Sequence, residues 1–154
     1  MARSSQGKVQ KARSVTSFTY RRSFEVPWGD CDPAGIVFNP NFFTYFDANT
    51  WLMFEAATGV KVHDFNAHYG IIGIALVDAG ANFMKPVKFG DTIEVVSRIA
   101  EFRRTSFVVE HKILLDGDLR NEGNETRVWA VKHPDDPEKI KTAAIPDEVI
   151  RSFK

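Results

Sequence analysis

The chain has 154 residues, of which 44% are hydrophobic and 26% charged, enough for one domain with a substantial core and unlike a disordered or fibrous composition. Twenty basic and twenty acidic side chains cancel to a formal net charge of zero, which gives no electrostatic reason to expect nucleic acid or a membrane surface as partner. No apolar run approaches the roughly 18–20 residues of a spanning helix, and Cys31 is the only cysteine, which excludes an internal disulfide and a cysteine-based metal cluster and suits a reducing cytoplasm.

Residues 1–17 carry Arg3, Lys8, Lys11 and Arg13 without an acid and read as a disordered basic tail, ahead of a single domain expected over 18–150. Over 16–26, Phe18, Tyr20, Phe24 and Val26 share a parity that Arg22 interrupts, the pattern of a half-buried strand ended by Pro27. Residues 28–38 contain Pro33 and Gly35 and hold no period, so they form a loop. Asn39-Pro40 is a helix start, because asparagine caps free N–H groups and proline loses nothing at the first helical position. The helix is predicted to run to Ala57, with Gly59 as its stop. Phe42, Phe43, Phe46, Trp51, Leu52 and Phe54 surround its axis, which marks a helix buried on most sides. Four β runs are predicted after Tyr69, at 71–84, 92–102, 106–115 and 126–132, with Gly90-Asp91 and Asp116-Gly117 as turns. Their connections are too short for crossover helices, so they pair antiparallel. From Pro134 onward the chain reads as a polar surface tail with a last turn near 148–153. The class is α+β, and a curved antiparallel sheet wrapped around one long helix is the economical arrangement.

The most unusual segment lies between the first strand and the helix: Gly29-Asp30-Cys31-Asp32-Pro33-Ala34-Gly35-Ile36-Val37-Phe38-Asn39-Pro40-Asn41. It leads two acids into a helix N-terminus, where unpaired N–H groups and the positive end of the dipole gather. Acyl transfer needs those two parts, a carboxylate base or nucleophile and donors for a developing oxyanion. Loop aspartates also simply cap turns, so Asp30 and Asp32 carry both readings. Cys31 is a poor nucleophile between two acids with no nearby histidine. Asp30-Cys31-Asp32 mimics the D-x-D of aspartate-dependent phosphatases, yet those follow an apolar parallel strand, and Arg22, Glu25 and Pro27 precede this one. His63, His68, His111 and His133 lack zinc spacing, and no glycine-rich phosphate loop, dinucleotide fingerprint or G-x-S-x-G elbow is present. Asp47, with Phe43 and Trp51 four residues to either side, places a carboxylate in a mostly apolar helix. Its partner is expected to be a polar group on a substrate or a donor from a neighbouring subunit.

The segment GDCDPAGIVFNPN resembles the signature of 4-hydroxybenzoyl-CoA thioesterases of the hotdog superfamily. The resemblance implies a hotdog fold and hydrolysis of acyl-CoA thioesters without metal or cofactor. It assigns the catalytic carboxylate to Asp32 and the oxyanion donor to the backbone N–H of Asn39, where relatives carry histidine or tyrosine. A second stretch, Phe102-Arg103-Arg104-Thr105-Ser106-Phe107, resembles the family segment that meets the CoA nucleotide, so Arg103, Arg104, Thr105 and Ser106 are expected at the substrate. Guanidinium forks suit phosphate oxygens. The resemblance also implies a homo-oligomer, a dimer or tetramer with sheets joined edge to edge and active sites at the subunit boundary. Two other readings remain: a short-chain aliphatic acyl-CoA thioesterase, and a protein that binds acyl-CoA or an aromatic acid without turnover.

Overall fold

Alternating burial over Thr92–Phe102 and Ser106–Leu115, with most inward side chains apolar, forms the middle of one curved sheet. The computed structural model describes residues 16–154, so most of the tail expected at 1–17 lies outside the described residues. Strand β1 spans Thr19–Glu25, and a short 3-10 turn at Trp28–Asp30 opens the loop that follows. Helix α1 spans Pro40–Thr58 and ends at Gly59, whose φ of 76° is the left-handed conformation that favours glycine. Helix α2 (Val62–Tyr69) was not expected from the sequence. Its eight residues bury only Phe65, so their polar character hides the helical period.

Strands β2 (Gly73–Phe83), β3 (Thr92–Phe102), β4 (Ser106–Leu115) and β5 (Asp118–Lys132) complete the main sheet, in the order β1-β3-β4-β5-β2 with every neighbouring pair antiparallel. Strand β5 starts eight residues before the predicted run, because its first half alternates polar side chains and glycine where apolar ones were sought. The expected surface tail is also corrected. It forms β6 (Ile140–Thr142) on β5 and helix α3 (Asp147–Ser152), and it places Ile145, Val149, Ile150 and Phe153 in the core.

The sheet wraps only one side of α1. Phe42, Tyr45, Phe46, Asn49, Thr50, Met53 and Phe54 are buried against it, whereas Phe43 and Asp47 are exposed and Trp51 and Leu52 half-buried. One chain therefore covers less of the helix than its composition predicts. At the sheet's β2 edge Leu76, Val77 and Phe83 are exposed, an apolar border on an open row of backbone groups. Among the described residues no helix is long and apolar enough to cross a membrane.

Candidate active site

The loop between β1 and α1 is a small ribbon locked to itself. Asp32 N–H donates to Ile36 O (2.9 Å) and Phe38 N–H to Asp30 O (2.9 Å), pairing 30–32 with 36–38. Gly35 closes the turn by donating to Asp32 O at 2.9 Å, with φ at 77°. Val37 N–H then donates to Val87 O (2.8 Å), which fastens the ribbon to the segment ahead of β3.

The two aspartates have different surroundings. Asp30 is tied into α1: its Oδ2 accepts the Tyr45 hydroxyl at 2.7 Å and its carbonyl accepts Asn41 Nδ2 at 2.8 Å. Burial, then the hydrogen bond to the Asp30 carboxylate, pushes the Tyr45 hydroxyl above its usual range, so it remains a donor. Asp32 accepts Ala34 N–H on Oδ1 at 2.8 Å, and among the described residues its Oδ2 has no hydrogen-bond partner. Burial and then the charges of Asp30 and Asp32 raise the Cys31 thiol, which disfavours a thiolate nucleophile.

Asn39 does not cap α1 with its side chain. Its backbone is already helical (φ −48°, ψ −41°) and the side chain makes no cap hydrogen bond. Among the described residues no acceptor takes the Asn39 N–H, and Pro40, next in the chain, has no N–H to offer. Beside Asn39 opens a cleft of about 160 Å³, walled by Phe42, Phe83, Met84 and Pro86 among others.

Under α1 runs a polar network that the sequence reading missed. The side chains of β5 that face the helix are, in alternation, Asn121, Gly123, Glu125 and Arg127, all buried. Glu125 Oε1 accepts Thr50 Oγ1 (2.5 Å) and lies 2.9 Å from His111 Nε2, while Oε2 accepts Arg127 Nη2 at 2.7 Å. His111 Nδ1 lies 2.6 Å from Ser97 Oγ, which accepts Asn49 Nδ2, and Asn49 Oδ1 accepts Arg22 Nε at 3.0 Å. Burial alone would raise the Glu125 carboxyl, but hydrogen bonds to His111 and Arg127 and their charges outweigh it and hold the group down at about 2. The Phe46 ring stacks on His111 at 4.6 Å, and a Cβ at Gly123 would overlap that ring, so only glycine fits there.

This network reaches Asp47. Its Oδ1 accepts Arg127 Nη2 at 2.6 Å, so the partner that the sequence sought in a ligand or a second subunit is supplied within the chain. Among the described residues its Oδ2 has no hydrogen-bond partner, and the side chain is 56% exposed.

Arg103 and Arg104 are exposed in the β3–β4 hairpin, where Arg103 N–H donates to Ser106 O at 2.8 Å and the Arg103 side chain pairs with Glu101. Thr105 and Ser106 are half-buried there. The hairpin lies at the far end of the sheet from Asp32, because the 30–38 ribbon is bonded to residues just before β3 and eleven residues of strand, roughly 35 Å, intervene. One chain thus carries Asp32 and Asn39 on the same ribbon, with Asn39 at the cleft, and leaves the arginine pair apart from them.

The model of the thioesterase-like superfamily matches residues 26–153. The chain belongs to that family. It is 30% identical over 144 residues to the 4-hydroxybenzoyl-CoA thioesterase of Pseudomonas sp. (strain CBS-3), covering 90% of this chain and 96% of that one. The solved structure of the Pseudomonas enzyme superposes with a TM-score of 0.79 at 28% identity, over 88% of this chain and 99% of the other. A gentisyl-coenzyme A thioesterase matches with a TM-score of 0.72 at 28% identity, over 87% and 98%. The fold of this thioesterase-family chain is therefore the hotdog fold, as the sequence resemblance implied.

Proposed function

We propose that this thioesterase-family protein hydrolyses aromatic acyl-CoA thioesters, releasing the acid and the CoA thiol, with Asp32 as nucleophile or general base. The observation that carries the reading is that one locked ribbon holds both an Asp32 oxygen and an Asn39 N–H for which no partner exists among the described residues. The carboxylate, or a water it activates, attacks the thioester carbon, and the Asn39 N–H stabilises the oxygen as charge develops there. The neighbouring cleft of about 160 Å³ is large enough for an aromatic acyl group, since about 150 Å³ is enough to hold a benzene ring.

The family relatives whose names specify 4-hydroxybenzoyl-CoA and gentisyl-CoA support the same substrate class. Asp47 is assigned to the outer rim of the acyl site, its spare Oδ2 meeting a ring substituent there. The chain is proposed to form at least a dimer through β2, whose exposed Leu76 and Val77 would be covered by the same strand of a second copy. A monomer in light scattering at micromolar concentration removes that part. A lone cysteine, kept as a thiol, suits a cytoplasmic protein.

A panel of aromatic and aliphatic CoA esters tests the function. Native protein should turn over the aromatic esters fastest, and Asp32→Asn should lower kcat by about 10²-fold or more with little change in KM. A fully active Asp32→Asn protein, checked for deamidation, rules out the mechanism. Absence of turnover with tight CoA-ester binding would identify a binding protein instead. Asp47→Asn should shift the ratio of hydroxybenzoyl to benzoyl hydrolysis, and an unchanged ratio takes Asp47 off the substrate.

A further inference from the structure

We infer that Lys88 is a catalytic residue, whose ammonium stands across Ile36 from Asp32 and stabilises the thiolate that leaves when the thioester is cleaved. The inference rests on the thioesterase reading above and supplies a partner for the charge on sulfur.

The placement follows from the register of three short segments. Asp32 N–H donates to Ile36 O, and the bridge between Cys31 and Val37 sets Asp32 opposite Ile36. Ile36 forms a second bridge with Lys88, framed by the bonds from Phe89 N–H to Gly35 O at 2.9 Å and from Val37 N–H to Val87 O at 2.8 Å. Residues directly opposite one another in an antiparallel pair project to the same face. Asp32, Ile36 and Lys88 therefore form one row across the ribbon, while the adjacent Val37 and Val87 turn the other way into the core. Two strand spacings, about 10 Å between backbones, separate the ends of that row. Ile36 is a wall of the cleft, so the carboxylate and the ammonium flank that wall from opposite sides.

Lys88 is exposed, and among the described residues its ammonium has no hydrogen-bond or ion-pair partner. The cations and anions around it are engaged. Lys85 is bound to both Asp118 oxygens, at 3.1 and 3.0 Å, and Asp91 Oδ2 accepts the Lys88 backbone N–H at 2.8 Å, which pins the turn carrying the lysine.

Cleavage places charge on two atoms in turn. Asp32, or a water it deprotonates, forms a C–O bond at the thioester carbon, and the carbonyl electrons move to oxygen, where the Asn39 N–H meets them. Those electrons then return, the C–S bond breaks with its pair on sulfur, and CoA departs as a thiolate. A carbon held over Ile36 receives the new oxygen from the Asp32 side, which leaves the sulfur on the Lys88 side. There the compact ammonium faces the new anion and stays protonated, and the thiolate takes its proton from solvent afterwards.

The test compares three benzoyl thioesters in native protein and in Lys88→Gln and Lys88→Arg. They are the CoA ester, the pantetheine ester, which has the same alkyl thiol without the phosphates, and the 4-nitrothiophenol ester, whose arenethiolate needs little stabilisation. Lys88→Gln should lower kcat/KM, which reports the steps through C–S cleavage, by about tenfold for the CoA and pantetheine esters alike. For the 4-nitrothiophenol ester the loss should stay below about twofold. Lys88→Arg keeps the charge and should remain within about threefold of native on all three. An equal loss on all three esters, or none on any, overturns the inference. A loss confined to the CoA ester also overturns it and makes Lys88 a phosphate contact. Should glutamine destabilise the turn, the same comparison is read from Lys88→Met, which keeps an unbranched stem and removes the charge. Native protein that hydrolyses none of the three esters instead overturns the thioesterase reading.

Discussion

Asp30 and Asp32 stand two residues apart and have different hydrogen-bond partners. Asp30 is held by Tyr45 and, through its carbonyl, by Asn41, so it anchors the ribbon to the first two turns of α1. Tyr45→Phe should therefore leave the protein folded and lower kcat by about tenfold through a loosened ribbon, less than Asp32→Asn. A loss equal to that of Asp32→Asn would instead put Tyr45 at the reacting atoms. The sequence showed the segment through its crowding of acids, glycine and proline, and the family resemblance chose between the aspartates. It could not show the Tyr45 clamp, because a hydroxyl fifteen residues downstream bears no local mark of its partner. Nor could it show that the Asn39 side chain leaves the helix start uncapped, since that depends on one pair of dihedral angles.

At the scale of elements, α1 and β5 are joined by charge as well as by apolar packing. Glu125 is buried and its carboxyl is held at about 2, below its ordinary value of 4.5. Because the folded value is depressed, the stabilisation is fully present above about 4.5 and is lost as pH falls from there toward 2. It amounts to about 3 kcal/mol at most. Glu125→Gln should flatten that acid limb of a urea-unfolding series, while lowering stability at neutral pH by leaving Arg127 short of a partner. An unchanged acid limb would mean the network adds nothing to the pH dependence. Strands β3 and β4 were legible to the residue, because Thr92–Phe102 and Ser106–Leu115 alternate apolar and polar side chains. The first half of β5 was not, since its inward row is Asn121, Gly123 and Glu125, a polar row that tertiary partners make tolerable and that no hydrophobic pattern announces.

The whole molecule is where the arginine pair must be placed. Phe83, at one end of β2, pairs with Asn121 near the Asp32 end of the sheet, while Gly73, at the other end, pairs with Ala130 near the β3–β4 hairpin. A two-fold axis that pairs β2 with its copy runs the strands antiparallel, so the Asp32 end of one chain lies at the same end of the joined sheet as Arg103 and Arg104 of the partner subunit. A CoA nucleotide extending from Asp32 would then be gripped across the boundary rather than within one chain. Co-expression of an Asp32→Asn chain with an Arg103→Ala/Arg104→Ala chain tests this arrangement. Each mixed dimer has one site in which an intact Asp32 faces an intact arginine pair, so random pairing should restore about a quarter of native kcat/KM for a CoA ester at low concentration. The same mixture assayed with a truncated pantetheine ester, which lacks the nucleotide, should show no gain beyond the Asp32-intact chains present. If carboxylate and arginines served one chain's own site, neither parent would complement the other, and activity in the mixture would equal the sum of the two homodimers.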